Sequence, residues 1–241
     1  MNKPLIFAHR TIEWFSGNRG MLKNFDVAEF DIRKTADNVL VVAHNRMIRN
    51  HVRVIRIDKS SYNKIHRYTG KLIPRLDDVI EELKGTVDLN LDLKQHNLTR
   101  EIAKTVKRHK IERNVYIDSY NSEVLGRLGN MLPHAKLCVS FNYKDMKGIS
   151  GFPIIKQMGY LSYLVLKPFW PRVHKSMAKR KEILPAAGLY HKVVNKGLLE
   201  FFHQRQVPVY VWPVNDKKSF KRMLELKVDG IKTSNPELIQ N

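Results

Sequence analysis

The chain has 241 residues, enough for one large core, and its 43 Lys and Arg against 23 Asp and Glu give a formal charge of +20. Such a balance favours an anionic partner (nucleic acid, an acidic membrane surface or a phosphorylated substrate), and charge alone does not choose among them. The single cysteine, Cys138, excludes an intrachain disulfide and a disulfide-stapled secreted scaffold, so a reducing, cytoplasmic setting is expected.

The opening "MNKPLIFAHR" holds too short an apolar run for a secretory leader. In chain order, β-branched runs predict strands over 5–9, 27–32, 38–44, 86–94, 114–119, 135–140, 160–166, 207–212 and 228–233. Amphipathic periods between them predict helices over 76–84, 97–109, 121–131, 195–205 and 216–227, with Asn97, Asn121 and Asp216 as N-caps. The most apolar stretch, 149–170, is interrupted by Lys156, Gln157 and Lys167, so no membrane-spanning helix is expected. The densest charge run, "RVHKSMAKRK" at 172–181, reads as a solvated face. A strand–helix rhythm without GxGxxG after the first strand favours an α/β fold of the TIM (β/α)8 barrel type, one domain over 1–241.

Side chains alternate across a strand, so Glu29 and Asp31 share one face of "VAEFDI" while Ala28, Phe30 and Ile32 share the other. The same split recurs in "DLNLDLK", with Leu89, Leu91 and Leu93 opposite Asp88, Asn90, Asp92 and Lys94. In a barrel the apolar face packs on helices and the polar face points inward. Two carboxylates on one buried face repel and lose solvation unless they take up protons, pair with cations or bind a metal. Glu29, Asp31 and Asp92 suit an all-oxygen site for one divalent cation, Mg²⁺ or Ca²⁺, or ion pairs with nearby Lys and Arg. His9 and His44 end strand-like runs, where barrels carry catalytic groups, and an imidazole can act as base or acid near neutral pH.

These residues lie within a larger pattern. "IFAHR", "AEFDIRKTADNVLVVAHN", "IPRLDDVIEEL", "LNLDLK" and "VYVWPVND" with "VDGIKTSNPELI", in that order, resemble the glycerophosphodiester phosphodiesterases. The resemblance implies a TIM barrel that cleaves phosphodiesters with one divalent cation held by Glu29, Asp31 and Asp92. It implies His9 as base and His44 as acid, Arg10 and Lys94 on the substrate phosphate, and Trp212 beside the substrate, with Asn215 following. The partner it implies is a small or lipid-derived phosphodiester. Contact with an anionic membrane is a further expectation, with Phe169 and Trp170 as interfacial side chains and the protein peripheral to the membrane.

The pattern also departs from the family. Thr11 follows the His–Arg pair where the family has Gly, and "TIEWFSGNRGMLKNF" lacks its Pro-Glu-Asn-Thr segment. Asn45 stands where an acid usually follows the second histidine, removing a group that would charge the imidazole. The short first loop and the Asp92–x–Lys94 element resemble the sphingomyelinase D branch, which releases a cyclic phosphate, although the disulfide of that branch cannot form here. A different reading is a weakened barrel kept as a basic module for nucleic acid or an anionic polymer. Retention of His9, Glu29, Asp31, His44, Asp92 and Lys94 speaks against it.

Overall fold

The computed structural model describes residues 3–14, 19–49, 54–69, 73–141 and 185–239. The strand predicted over 160–166, Phe169, Trp170 and the 172–181 tract lie outside the described residues. Eight parallel strands close into a barrel: β1 (Leu5–Ala8), β2 (Val27–Lys34), β6 (Asp88–Leu93), β7 (Val115–Ser119), β8 (Lys136–Ser140), β9 (Ala186–Tyr190), β10 (Val209–Trp212) and β11 (Gly230–Thr233). The helices are α1 (Thr11–Trp14), α2 (Tyr62–Thr69), α3 (Leu76–Leu83), α4 (Thr99–His109), α5 (Ser122–Met131), α6 (Lys196–His203) and α7 (Lys217–Leu226). This is the TIM-barrel architecture expected from the strand–helix rhythm. No helix of the described residues is long and apolar enough to cross a membrane.

Two local readings change. The run 38–44 is not a barrel stave: its strand β3 (Leu40–Val42) pairs antiparallel with β2, Lys34 opposite Leu40. The chain then forms a separate hairpin, β4 (Met47–Arg49) against β5 (Val54–Arg56). Asn97 does not cap α4; it sits in a 3-10 turn at φ −97°, ψ 34°, and Leu98 holds the cap position. Asn121 and Asp216 do cap their helices, accepting hydrogen bonds from Glu123 and Val124 and from Ser219.

The outward strand faces meet the helices. Ala28, Phe30, Ile32, Leu89, Leu91 and Leu93 join one core with residues of α3, α4 and α5, and each buried leucine stabilises the fold by about 2 kcal/mol. Inside, Phe7, Tyr116 and Tyr210 plug the lower barrel with ring centroids 5.1 to 6.2 Å apart. Gly230 is required there, because a Cβ would stand 2.6 Å from Tyr210 Cδ1 and 2.9 Å from Phe7 Cε2.

One residue pair further along the strands, the interior becomes polar. Lys232 Nζ, buried, donates to Asn90 Oδ1 at 2.6 Å and pairs with Asp118, while Asn90 Nδ2 donates to Asp118 Oδ1 at 3.0 Å. Above this layer, at the C-terminal ends of the strands, lie His9, Asp31 and Asp92.

Candidate active site

Glu29 and Asp31 come inward from β2 and Asp92 from β6, whose register sets Glu29 beside Asn90 and Asp31 beside Asp92. One oxygen of each of Glu29, Asp31 and Asp92 lies within 4.8 Å of the others; Glu29 and Asp31 are buried and Asp92 is partly exposed. Carboxylate oxygens without thiolate or imidazole suit a hard cation such as Mg²⁺ or Ca²⁺, so the donor set fits the expected ion.

Lys94 is also here, its Nζ 2.8 Å from Asp31 Oδ1 and 2.6 Å from Asp92 Oδ2. Burial disfavours its charge, but Asp92, Asp31 and Glu29 outweigh that and hold the ammonium protonated far into alkaline pH. For Asp92 burial likewise works against ionisation, and Lys94 and Lys232 more than offset it, keeping its carboxyl below the ordinary range. Glu29 has no such direct partner: burial, then repulsion from Asp31, pushes its carboxyl up to about 8.

His9 follows β1 and is held by the segment after β11. Its backbone N–H donates to Thr233 at 2.8 Å and its Nδ1 lies 3.0 Å from Ser234 Oγ. The Ser234 hydroxyl also reaches the His9 carbonyl at 3.2 Å; when its one proton goes to that carbonyl, Nδ1–H donates to Oγ and Nε2 carries the lone pair. Asn215 fixes this segment, accepting from Ser234 N at 2.8 Å. Burial, with Lys232 and Arg10 nearby, lowers the His9 pKa to about 3, so the ring is neutral at physiological pH.

Arg10 adopts the left-handed backbone (φ 51°), rare for a side chain of its size, and its N–H donates to Glu29 Oε2 at 2.5 Å. Its guanidinium Nη2 stands 2.6 Å from His44 Nε2. Arginine only donates, so Nε2 accepts, and His44 Nδ1–H is left to donate to Asn45 Oδ1 at 3.1 Å. Arg33 Nε and Nη2 donate to the His44 carbonyl at 3.1 and 2.8 Å and fix the residue at the barrel mouth.

The structure thus gathers Glu29, Asp31, Asp92, Lys94, His9, Arg10 and His44 around one mouth. Trp212 ends β10 at the same end, its ring 6.3 Å from that of Tyr190, and its buried Nε1 has no hydrogen-bond partner among the described residues.

The family model of the glycerophosphoryl diester phosphodiesterases matches residues 16–238. The chain belongs to this family. A glycerophosphodiester phosphodiesterase of Caldanaerobacter subterraneus is 26% identical over 266 residues, covering 99% of this chain and 97% of the relative. The Arabidopsis thaliana glycerophosphodiester phosphodiesterase GDPD4 is 25% identical across 89% of this chain, which spans 63% of that relative's length. Among solved structures, a phosphodiesterase of Oleispira antarctica in complex with the product sn-glycerol-3-phosphate superposes with a TM-score of 0.71 at 15% identity, covering 98% of this chain and 95% of its own. At that identity the likeness shows the fold; membership rests on the family match.

Sequence reasoning passed over Lys232, Asp118, Arg33 and Ser234. Lys232 and Asp118 carry a legible signal: each is a charge at an inward position of an otherwise apolar strand, two residues beyond Gly230 and Tyr116. Arg33 and Ser234 act through backbone turns that no periodicity reveals.

Proposed function

We propose that this chain is a divalent-cation-dependent hydrolase of glycerophosphodiesters or related lipid or polymer phosphodiesters, releasing glycerol phosphate and an alcohol. The observation that carries this reading is the convergence of three carboxylates with a neutral His9 and an Arg10–His44 pair at one barrel mouth. Glu29, Asp31 and Asp92 would hold one Mg²⁺ or Ca²⁺, which when bound polarises a phosphate oxygen and offsets its charge.

The roles of the chain's own groups follow from their contacts. His9 Nε2, neutral and carrying the lone pair, takes the proton of the attacking hydroxyl. That hydroxyl, a neighbouring one of the substrate, forms the new bond to phosphorus while the bond to the leaving alcohol breaks and His44 Nε2 delivers a proton to the departing oxygen; water then opens the resulting cyclic phosphate to the glycerol monoester. The acid role requires Arg10 to leave Nε2 and turn to the phosphate, where its guanidinium can hold two oxygens, and Nε2 to take up a proton from solvent before it gives one to the departing oxygen. Lys94 neutralises a second phosphate oxygen. Trp212, at the end of β10, offers an apolar wall to the glycerol moiety.

The net charge of +20 supports a membrane-peripheral, cytoplasmic setting in which an anionic surface is a partner. Phosphorus NMR of the products from a panel of glycerophosphodiesters, with Mg²⁺ or Ca²⁺ and with His9→Ala as control, tests the reading. An open monoester supports hydrolysis. A persistent cyclic phosphate favours the sphingomyelinase D type of transfer, and no product from any member of the panel removes the proposal.

A further inference from the structure

The outer face of the β4–β5 hairpin carries the two most exposed large apolar side chains of the described residues, Met47 at 48% and Val54 at 51%. They are diagonal neighbours, because Met47 pairs with Arg56 and Arg49 with Val54. Each apolar side chain therefore faces an arginine across the strand. Arg49 and Arg56 are the exposed cations of this face; Arg56 shares Asp58 with Arg46, at 2.9 and 2.7 Å, and Lys59 is exposed just after β5, so cations outnumber acids around the hairpin.

The hairpin is a rigid platform. Its inner side chains Ile48 and Ile55 pack into a small core of their own with Val41, Ile57, Tyr62 and Ile65, and Ile57 N–H closes the base by donating to Arg46 O at 3.0 Å. It begins directly after His44 and Asn45, so whatever it binds lies beside the barrel mouth.

We infer that this hairpin face docks on an anionic phospholipid bilayer and holds the mouth against it. Two apolar side chains fall far short of the roughly 800 Å² per partner of a stable protein interface. Shallow insertion of such side chains between arginines that reach lipid phosphates suits a bilayer surface. The inference rests on the proposed activity only for its purpose, delivery of lipid-borne substrate, and is tested by binding rather than turnover.

Cosedimentation with vesicles of phosphatidylcholine, with and without phosphatidylglycerol, would compare wild type, Arg49→Glu and the double variant Met47→Ser/Val54→Ser. Wild type is expected to pellet with the anionic vesicles and stay free of the neutral ones. One cation near an anionic leaflet strengthens binding about fivefold, so reversing Arg49 should weaken it about thirtyfold. The double variant should lose about tenfold by forgoing apolar insertion. All three should keep the same melting temperature and the same turnover of a soluble glycerophosphodiester. A wild type that ignores both vesicles, or one that binds them equally, overturns the inference, as do variants that bind like wild type. A wild type that binds the anionic vesicles but turns over no glycerophosphodiester would count against the proposed activity instead.

Discussion

Cation binding at this site should release a proton. Without a cation Glu29 titrates at about 8 because it is buried and faces Asp31, and a divalent ion needs it ionised. At pH 6 only about one Glu29 in a hundred is ionised, so the apparent affinity should lie about a hundredfold, or ~2.7 kcal/mol, below its alkaline plateau. Isothermal titration calorimetry with Mg²⁺ and Ca²⁺, in buffers of different ionisation enthalpy, counts the protons. About one should be released per ion at pH 6, falling to about a quarter at pH 8.5. Glu29→Gln should bind more weakly and without this proton. The sign for stability is opposite to that of an ordinary salt-bridged acid: Glu29 is raised, so its contribution is full below the unfolded carboxyl range and is lost as pH climbs through about 8. The cation-free protein should therefore melt progressively lower from pH 6 to pH 9, and the cation should oppose the fall. Equal heats in all buffers at pH 6, or an unchanged proton count in Glu29→Gln, would refute the assignment of the proton to this carboxyl.

Lys94→Met removes the counter-charge of Asp31 and Asp92; the cation-free protein should lose about 3 kcal/mol, seen as a lower melting temperature that added cation largely restores. His9→Ala should lower kcat by about 10²–10⁴ in a turnover assay with a soluble glycerophosphodiester. Asn45→Asp sets a carboxylate against His44 Nδ1, and kcat for a soluble glycerophosphodiester should rise. Lys232→Met strands Asp118 in the barrel interior and should cost about 3–5 kcal/mol in urea denaturation, most of it recovered in Lys232→Met/Asp118→Leu.

The parts of the fold that were legible are those where burial imposes a period. In β2 and β6 an apolar outer face against helices and a charged inner face leave only one way to place the strand, so Glu29, Asp31 and Asp92 were readable from alternation. β9 was not, because "AAGLY" has little strand propensity; its small residues are there to make room, since a Cβ on Gly188 would lie 2.9 Å from Ser140 Oγ. β3 looked like a stave because "NVLVV" is as apolar as one, and periodicity says nothing about direction. His44 was singled out as the end of a strand-like run; it reaches the mouth instead through a turn locked by Arg33, not as the end of a barrel strand.

The interior charges explain why one of the three site acids should hold a proton until an ion arrives. Four carboxyl groups, Glu29, Asp31, Asp92 and Asp118, share the barrel with two lysines, Lys94 and Lys232. Lys232 is committed to Asp118 and Asn90, and Lys94 to Asp31 and Asp92. Among the described residues Glu29 accepts from the backbone N–H of Arg10 and is repelled by Asp31, so protonation is its least costly state. A divalent ion held by Glu29, Asp31 and Asp92 would favour the ionised form of Glu29 and would share the Asp31 and Asp92 carboxylates with Lys94. An ammonium displaced from them would be directed toward the mouth, where the phosphate of a substrate is the nearest anion it could meet. Cation and substrate should then bind with positive coupling, each strengthening the other by the same factor. Lys94→Met should abolish most of that coupling while leaving the three carboxylates to bind the ion.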